Sequence, residues 1–224
     1  MTTAQGLLWL LPFLDYASVA VFALTGALVA SRAQLDVVGF IFIASLTATG
    51  GGTLRDVLLN RDVFWIVDPW MLGVATLAAV VVFFAAHLLE SRYRAILWLD
   101  ACALAVAVPA GVAAAAGQGM GWPVILIMGM VTGCMGGLMR DVVCNEVPLV
   151  LKQGELYVTC AFAGALAAIV AERAGVAGGL ELLACAAVTL TLRAGSLLFG
   201  WRLPVYRPRP ARTLPPKRQD LRDK

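Results

Sequence analysis

The sequence has little charge. Asp, Glu, Lys and Arg together make up 14% of its 224 residues, whereas hydrophobic residues make up 61%. A typical soluble domain is about 25% charged and roughly 45–50% apolar. A soluble chain of this length cannot hide so much apolar surface in one core. The composition therefore argues against an ordinary soluble domain and predicts a protein embedded in a lipid bilayer.

Histidine is nearly absent as well, since His87 is the only one, and the five cysteines lie in apolar stretches without a CxxC spacing. This shortage argues against the usual zinc patterns and against histidine-based catalytic triads. Buried thiols that pack as small apolar groups account for the cysteines. The sequence therefore predicts no enzyme, no cofactor and no metal centre.

Long polar segments are missing before residue 200, and apolar runs of spanning length take their place. A transmembrane helix needs about 20 mainly apolar residues. Hydropathy and turn residues predict one all-α domain over residues 1–200 with seven spans, followed by a basic, proline-rich cytoplasmic tail over residues 201–224. The predicted spans are Leu11–Ala30, Val37–Leu59, Trp70–Leu89, Ala95–Ala116, Trp122–Cys144, Glu155–Val170 and Gly178–Phe199.

Basic residues are unevenly placed, with eight of the 17 in the last 23 positions. A nucleic-acid partner is one interpretation of such a tail. A cytoplasmic topology signal that contacts anionic lipid is the one we favour. With seven spans, a cytoplasmic C-terminus puts the N-terminus outside, and more of the loop cations then fall inside. We therefore predict a multi-pass protein of the cell inner membrane. The inside loops hold Arg32, Arg92, Arg94 and Lys152, and the outside segments hold Arg61 and Arg173.

The sequence contains an internal repeat at an offset of 85 residues. Over the 46 pairs from 15/100 to 60/145, twelve are identical, among them Asp, Gly, Arg and Asn pairs in one register. Repeat one covers 11–89, repeat two covers 95–173, and the helix at 178–199 is extra. Because each copy holds three spans, the second copy enters the membrane from the opposite side. Inverted repeats of this kind place substrate and ion sites near the midplane.

Glycine runs mark the second span of each copy. The first run is Gly50, Gly51 and Gly52, flanked by Thr49 and Thr53. Each helical glycine costs about 1 kcal/mol relative to alanine, so the run predicts a break whose freed carbonyls line a cation path. A second interpretation is close packing of the two helices through rows of small residues spaced by four, which are Ala44, Ala48 and Gly52 on one helix and Gly129, Gly133 and Gly137 on the other. The corresponding residues of the second copy are Thr132, Gly136 and Gly137.

Arg-Asp pairs follow both glycine runs, at Arg55-Asp56 and Arg140-Asp141. An ionised side chain at the bilayer centre costs roughly 2.5–3.5 kcal/mol, so these groups must face protein or water. Adjacent helical residues diverge by about 100°, which predicts pairing between the copies rather than within a motif. Either a structural lock between the halves or an electrostatic lining of a path would explain them. The expected pairs are Arg55 with Asp141 or Asp100, and Arg140 with Asp56 or Asp15.

Lys152 and Tyr157 lie where the sixth span begins. One interpretation is interfacial anchoring, with the lysine snorkelling and the tyrosine at the headgroup level. The other is an electrostatic gate at the mouth of a path.

Three segments together resemble the prokaryotic branch of the trimeric intracellular cation (TRIC) channel family, whose domain is also named a glycine transporter domain. They are GGGTLRDVLLN from Gly50, GGLMRDVVCNEVP from Gly136 and KQGELY from Lys152. The resemblance covers about residues 15–200. The second motif departs from the first in having Met135 where the first has Gly50, which predicts a milder break there.

The resemblance implies a homotrimer with one pore in each protomer, lined by helices two and five with one and four. It implies a monovalent cation, chiefly potassium, as the permeant ion, with sodium as another candidate. The alternative is a secondary transporter of a small zwitterion such as glycine, because inverted repeats with broken helices suit that class too. In that case the carboxylate would lie near Arg55 or Arg140, and the ammonium near Asp56 or Asp141.

Overall fold

The computed structural model describes residues 10–88, 91–152 and 156–204, and in these residues the regular structure is helical. A one-turn helix, Phe64–Val67, lies between the second and third long helices. The long helices are α1 (Leu11–Arg32), α2 (Val37–Leu58), α3 (Trp70–Ala85, continued by a 3-10 turn to Leu88), α4 (Arg92–Gly117), α5 (Trp122–Val143), α6 (Tyr157–Arg173) and α7 (Leu180–Phe199).

Six of these helices are long and apolar enough to cross a membrane, and α6, with 17 residues, is the one outside that set. Large apolar side chains point away from the protein along them, including Phe42, Trp70, Phe84 and Ile127. Such a surface is stable in hydrocarbon and not in water. The prediction of an all-α membrane protein is confirmed. Positions 89 and 155, where two predicted spans end or begin, and tail residues 205–224 lie outside the described residues.

The helices form two groups of three, each with its own apolar core. One core is built mainly from α1, α2 and α3, and the other from α4, α5 and α6, which α7 covers by packing on α6 and α4. Contacts of α1 with α4 and of α2 with α5 join the groups. The connection between α1 and α2 is short, so the start of α1 lies beside the end of α2. The same holds for α4 and α5.

Helices α2 and α5 end in the same way. Asn60 and Asn145, just beyond them, both adopt left-handed backbone, with φ of 51° and 54°. The next backbone N–H then donates to the carbonyl of Asp56 in one case and of Asp141 in the other. Asparagine tolerates this conformation better than most residues. Each chain segment is thereby turned back over the end of its helix, which places Phe64 and Leu149 against the core.

Candidate functional site

A buried ion cluster, which we call the first clamp, joins α1 to the end of α2. Arg55 donates from Nη1 and Nη2 to the two carboxylate oxygens of Asp15, at 2.7 and 3.2 Å, and from Nε to Oδ1 of Asp56, at 2.8 Å. The remaining oxygen of Asp56 accepts the backbone N–H of Phe64 at 3.0 Å. The guanidinium is fully buried. Bidentate pairing of this kind fixes the geometry as well as the charge.

A second clamp with the same bonds joins α4 to the end of α5. Arg140 donates from Nη1 and Nη2 to Asp100, at 2.8 and 3.0 Å, and from Nε to Asp141, at 2.8 Å. The other oxygen of Asp141 accepts the backbone N–H of Leu149 at 2.9 Å. Every bond of the first clamp therefore has a counterpart 85 residues further on.

The predicted pairing between the copies is wrong. Each arginine binds the aspartate of the neighbouring helix in its own half, and also the aspartate next to it in sequence. Two physical features explain this. The short α1–α2 and α4–α5 connections bring Asp15 and Asp100 opposite the arginines. The arginine side chain is also long enough to turn its Nε back to the adjacent carboxylate, which cancels the divergence of neighbouring residues.

The clamps have an electrical consequence. With the guanidinium and both carboxylates ionised, each clamp carries a formal charge of −1. Charges buried this deeply are screened far less by salt than surface charges are. Arg61 partly offsets the first clamp, because its Nε lies 3.9 Å from Asp56. Each clamp by itself therefore favours a nearby cation over an anion, and the two clamps lie at opposite ends of the α2–α5 pair.

Helices α2 and α5 cross at their glycines. A methyl group on Gly51 would lie 2.3 Å from the carbonyl oxygen of Thr132, and one on Gly136 would lie 2.3 Å from the carbonyl oxygen of Thr47. Neither position has room for a β-carbon. The two contacts are equivalent in the repeat, because Gly136 corresponds to Gly51 and Thr132 to Thr47 at the offset of 85 residues. Close packing between the two helices is therefore confirmed, with Gly51 and Gly136 as the contact residues. The predicted rows of small residues are not the crossing faces, because Gly133 packs on Val108 of α4 and Gly52 packs on Phe64.

The predicted unwinding is wrong. Both α2 and α5 run as uninterrupted α-helices through their glycine runs, so these carbonyls are not released as predicted. Packing explains the difference, because tight contact with the partner helix offsets the low helix propensity of glycine. The nearby hydroxyls of Thr47, Thr49, Thr53 and Thr132 each donate to the carbonyl four residues earlier. Their oxygens retain lone pairs that can still accept or coordinate.

The remaining predicted glycines make room for side chains. A methyl group on Gly50 would lie 2.8 Å from the sulfur of Met139, and one on Gly52 would lie 2.5 Å from the ring of Phe64. A methyl group on Gly137 would lie 3.3 Å from the hydroxyl of Tyr157. The glycine runs thus let three bulky groups approach the helix axes.

The two ends of the bundle carry cavities of very different size. A vestibule of about 590 Å³ opens beside the start of α1, with Asp15, Asp62 and Asp68 among its lining residues. A cleft of about 20 Å³ lies at the other end, beside Arg32 at the end of α1 and next to the second clamp. Between them, a central chamber of about 10 Å³ lies at the α2–α5 crossing, lined partly by Ser18, Thr47 and Thr132. A cavity that small holds about one water molecule.

Charged and aromatic side chains fill the cleft end. Lys152 donates from Nζ to the hydroxyl of Tyr93 and also lies 4.8 Å from the centre of its ring. The guanidinium of Arg32 lies 5.2 Å from the same ring and 3.4 Å from the carboxylate of Glu146. Cation–π contacts of this kind are worth roughly 0.5–1 kcal/mol at exposed sites and about 2 kcal/mol when desolvated. The contacts of Lys152 agree with the gate interpretation better than with free snorkelling.

Tyr157 is buried in the protein and does not face lipid. It is 1% exposed, beneath Gly137 of α5 and beside Arg193 of α7, whose guanidinium lies 5.2 Å from its ring centre. Within the described part of the chain its hydroxyl has no hydrogen-bond partner. The anchoring interpretation of Tyr157 is therefore wrong. The residue packs α6 against the second clamp and does not line the cleft.

Two residues of the clamps were not predicted, Phe64 and Leu149. Each acts through its backbone N–H, which no side-chain pattern reveals. A signal did exist, because each lies eight residues after the aspartate that it binds, and the two are 85 apart. Extending the repeat comparison by four pairs past 60/145 would have aligned them.

A protein-family model described as "Glycine transporter" matches residues 12–87 and again 97–173. Among curated relatives, a UPF0126 membrane protein of Vibrio cholerae is 36% identical over 203 residues, which cover 88% of this chain and 83% of that protein. A UPF0126 inner membrane protein of Escherichia coli is 34% identical over 207 residues, covering 87% and 95%.

Solved structures also match. The TRIC trimeric intracellular cation channel orthologue from Rhodobacter sphaeroides is 38% identical, with a TM-score of 0.82 over 85% of this chain and 98% of that one. A second structure, described as a structural basis for conductance through TRIC cation channels, is 27% identical. Its TM-score is 0.77, and the match covers 89% of this chain and 98% of that one. The chain therefore belongs to the UPF0126 family of membrane proteins, in the prokaryotic branch of the TRIC channel family.

Proposed function

We propose that this protein is a monovalent cation channel of the inner membrane, with potassium as its main permeant ion and one path in each protomer of a homotrimer. The observation that carries the proposal is the pair of buried clamps at opposite ends of the α2–α5 crossing. Each places a formal negative charge beside the line that joins the vestibule, the central chamber and the cleft. The similarity to TRIC cation channel structures supports a channel function for this arrangement.

The proposal includes seven spans, arranged as two inverted three-helix repeats and a seventh helix. Helix α6 has 17 residues, or about 26 Å at 1.5 Å per residue, which lies at the lower limit for a span. The duplicated clamps and the exchanged contacts at the crossing support the inverted repeat, as does the matching of one family model to both halves. The distribution of loop cations supports an external N-terminus and a cytoplasmic C-terminus.

In this arrangement the vestibule faces outwards and the cleft faces the cytoplasm. Carboxylates at the vestibule raise the local cation concentration. The central chamber then offers hydroxyl oxygens of Thr47 and Thr132 to a partly dehydrated ion. We infer that this conformation is closed, because the chamber has room for about one water molecule and the cleft that Lys152 lines has a volume of about 20 Å³. The predicted site residues of α2 and α5 thus act as lining and packing groups.

The alternative, a transporter of a small zwitterion, is less well supported. Such a solute needs an arginine that its carboxylate can reach. In both clamps three guanidinium N–H groups donate to aspartates, and the arginine is buried. Each arginine also pairs with two carboxylates, so a solute carboxylate bound there would meet a net negative charge.

Single-channel recording tests the proposal. The purified protein, reconstituted in planar bilayers in a potassium chloride gradient, is expected to give discrete current steps that reverse towards the potassium equilibrium potential. Steps of this kind require many ions per opening, which alternating access cannot supply. Glycine uptake into proteoliposomes is measured in parallel. Saturable glycine uptake without unitary current would reject the channel and favour the transporter.

Removing the Lys152 ammonium is expected to open the cytoplasmic end. Lys152→Met loses the hydrogen bond to Tyr93 and the contact with its ring. Loss of about 0.5–1.4 kcal/mol of closed-state stabilisation corresponds to a roughly two- to tenfold rise in the ratio of open to closed protein. The measurement is the open probability in single-channel records. Arg94→Met is the matched control, since Arg94 is exposed near the same end. Equal open probabilities in Lys152→Met and wild type would show that Lys152 does not hold the path closed.

A further inference from the structure

Two residues border both the vestibule and the central chamber. Within the described ranges, Asp15 and Phe64 line both cavities, and each of the other lining residues belongs to one cavity. Both oxygens of the Asp15 carboxylate accept hydrogen bonds from Arg55, so this group is engaged where the cavities meet. The side chain that separates the two spaces is therefore the ring of Phe64.

Three contacts hold this ring in place. The backbone N–H of Phe64 donates to Asp56 in the first clamp. The guanidinium of Arg55 lies 5.5 Å from the ring centre. The edge of the ring fills the space that the missing side chain of Gly52 leaves, where a methyl group would lie 2.5 Å from Cε1. Phe64 is 9% exposed although it borders the largest of these cavities.

An apolar ring at a constriction bars ions because a cation must shed water there without gaining oxygen ligands. Hydrophobic constrictions of this kind close channels by dewetting. The negative face of an aromatic ring can attract a cation, but here Arg55 already occupies that position. A permeating ion would thus have to pass an apolar ring of which Arg55 already occupies a face.

The opposite end is closed by different means. Leu149 holds the corresponding position, and its N–H donates to Asp141, yet the space outside it is the narrow cleft that Lys152 lines. We propose that Phe64 is a second gate, an apolar barrier between the vestibule and the central chamber that moves with the first clamp. This inference rests on the proposed channel function. It adds a barrier at the vestibule end, where the sequence analysis predicted no gate.

A cysteine below the barrier tests the inference without any current. Ser18 lines the chamber and not the vestibule, so Ser18→Cys reports access to the chamber. A small cationic methanethiosulfonate applied from the vestibule side is expected to modify this thiol at least tenfold faster when Phe64→Ala is also present. Phe64→Ala alone, with the native cysteines, gives the background rate. Ile66→Ala is the matched control, because Ile66 lies on the same one-turn helix, is exposed and lines neither cavity.

Recording then links access to conduction. Phe64→Ala is expected to raise the open probability at least threefold over both wild type and Ile66→Ala. If Phe64→Ala does not fold, Phe64→Leu is expected to give a smaller rise, about threefold in modification rate. Unchanged modification and unchanged current in a folded variant overturn the inference while the channel stands. Faster modification without any unitary current in wild type keeps the barrier and rejects the channel.

Discussion

Replacing Arg140 with methionine is expected to lower the free energy of unfolding by about 3–5 kcal/mol, because it leaves two buried carboxylates without their cation. Asp100 and Asp141 both bind Arg140, and the guanidinium is 1% exposed. Methionine keeps most of the side-chain volume, so the loss reports charge and hydrogen bonding rather than a cavity. The measurement is unfolding of the detergent-solubilised protein by denaturant titration.

The matched control for this variant is Arg32→Met. Arg32 also pairs with a carboxylate, at 3.4 Å from Glu146, but the two side chains are 34% and 31% exposed. Exposed pairs are worth about 0–1 kcal/mol, so the control is expected to change stability little. In a double-mutant cycle, Arg140→Met and Asp100→Leu are expected to show a coupling energy of about 0.5–3 kcal/mol. Additive losses would mean that the clamp does not act as a unit.

Replacing Gly51 or Gly136 with alanine is expected to destabilise the protein by about 1–3 kcal/mol, the usual cost of forcing extra volume into a packed core. Each added methyl group would lie 2.3 Å from a backbone carbonyl oxygen on the facing helix. A backbone atom cannot rotate aside, so α2 and α5 must separate. The thermal midpoint of the purified protein, followed by tryptophan fluorescence, measures the loss.

Gly73→Ala gives the opposite sign and serves as the control. Gly73 is exposed on α3, where a methyl group would find its nearest neighbour 3.8 Å away in the ring of Trp70. With no clash to oppose it, alanine gains up to about 1 kcal/mol of helix propensity. Gly51→Ala would contradict the tight crossing if it raised the midpoint as Gly73→Ala is expected to do.

The helices were the most predictable feature of the protein. Runs of apolar residues broken by turn residues predicted α2 and α5 from their observed first residues, Val37 and Trp122. Helix α4 begins earlier than predicted, at Arg92, because the Ser91 hydroxyl accepts the N–H of Arg94 and so caps it. A prediction from hydropathy alone misses a first helical turn that is polar.

The clamps were predictable as residues and not as pairs. Comparing the two halves identified all four charged motif residues together with Asp15 and Asp100, since a charge in an apolar run needs a partner. Which partner it takes depends on which helices lie side by side and on how a flexible arginine bends. Neither is encoded in spacing along one helix, which is why the angular argument failed for Arg55 and Asp56.

The glycine runs show a different limit. Helix propensity predicts a break at three consecutive glycines, but the facing helix supplies packing that keeps α2 continuous. The spacing of small residues indicated close packing, although at other positions, and the tertiary contact of Gly51 with Thr132 decides between the two interpretations. Phe64 was missed because its role follows from a backbone hydrogen bond and from the gap above Gly52, and only its alignment with Leu149 in the repeat pointed to it.

Seen from either end, the frame of this protein is nearly the same, and its direction comes from a few side chains at the rims. Phe64, Asp62 and Val67 line the vestibule where Leu149, Val147 and Lys152 line the cleft, and these are positions 85 residues apart. An almost symmetric frame has no top or bottom of its own. Two of these exchanges make the wide end more acidic and the narrow end more cationic, whereas Arg61 and Glu146, which are also 85 apart, differ in the opposite sense. A difference between the two ends that depends on a few side chains can arise after a duplication through few substitutions, and few substitutions can reverse it. Which end is wide is therefore not a fixed property of the backbone.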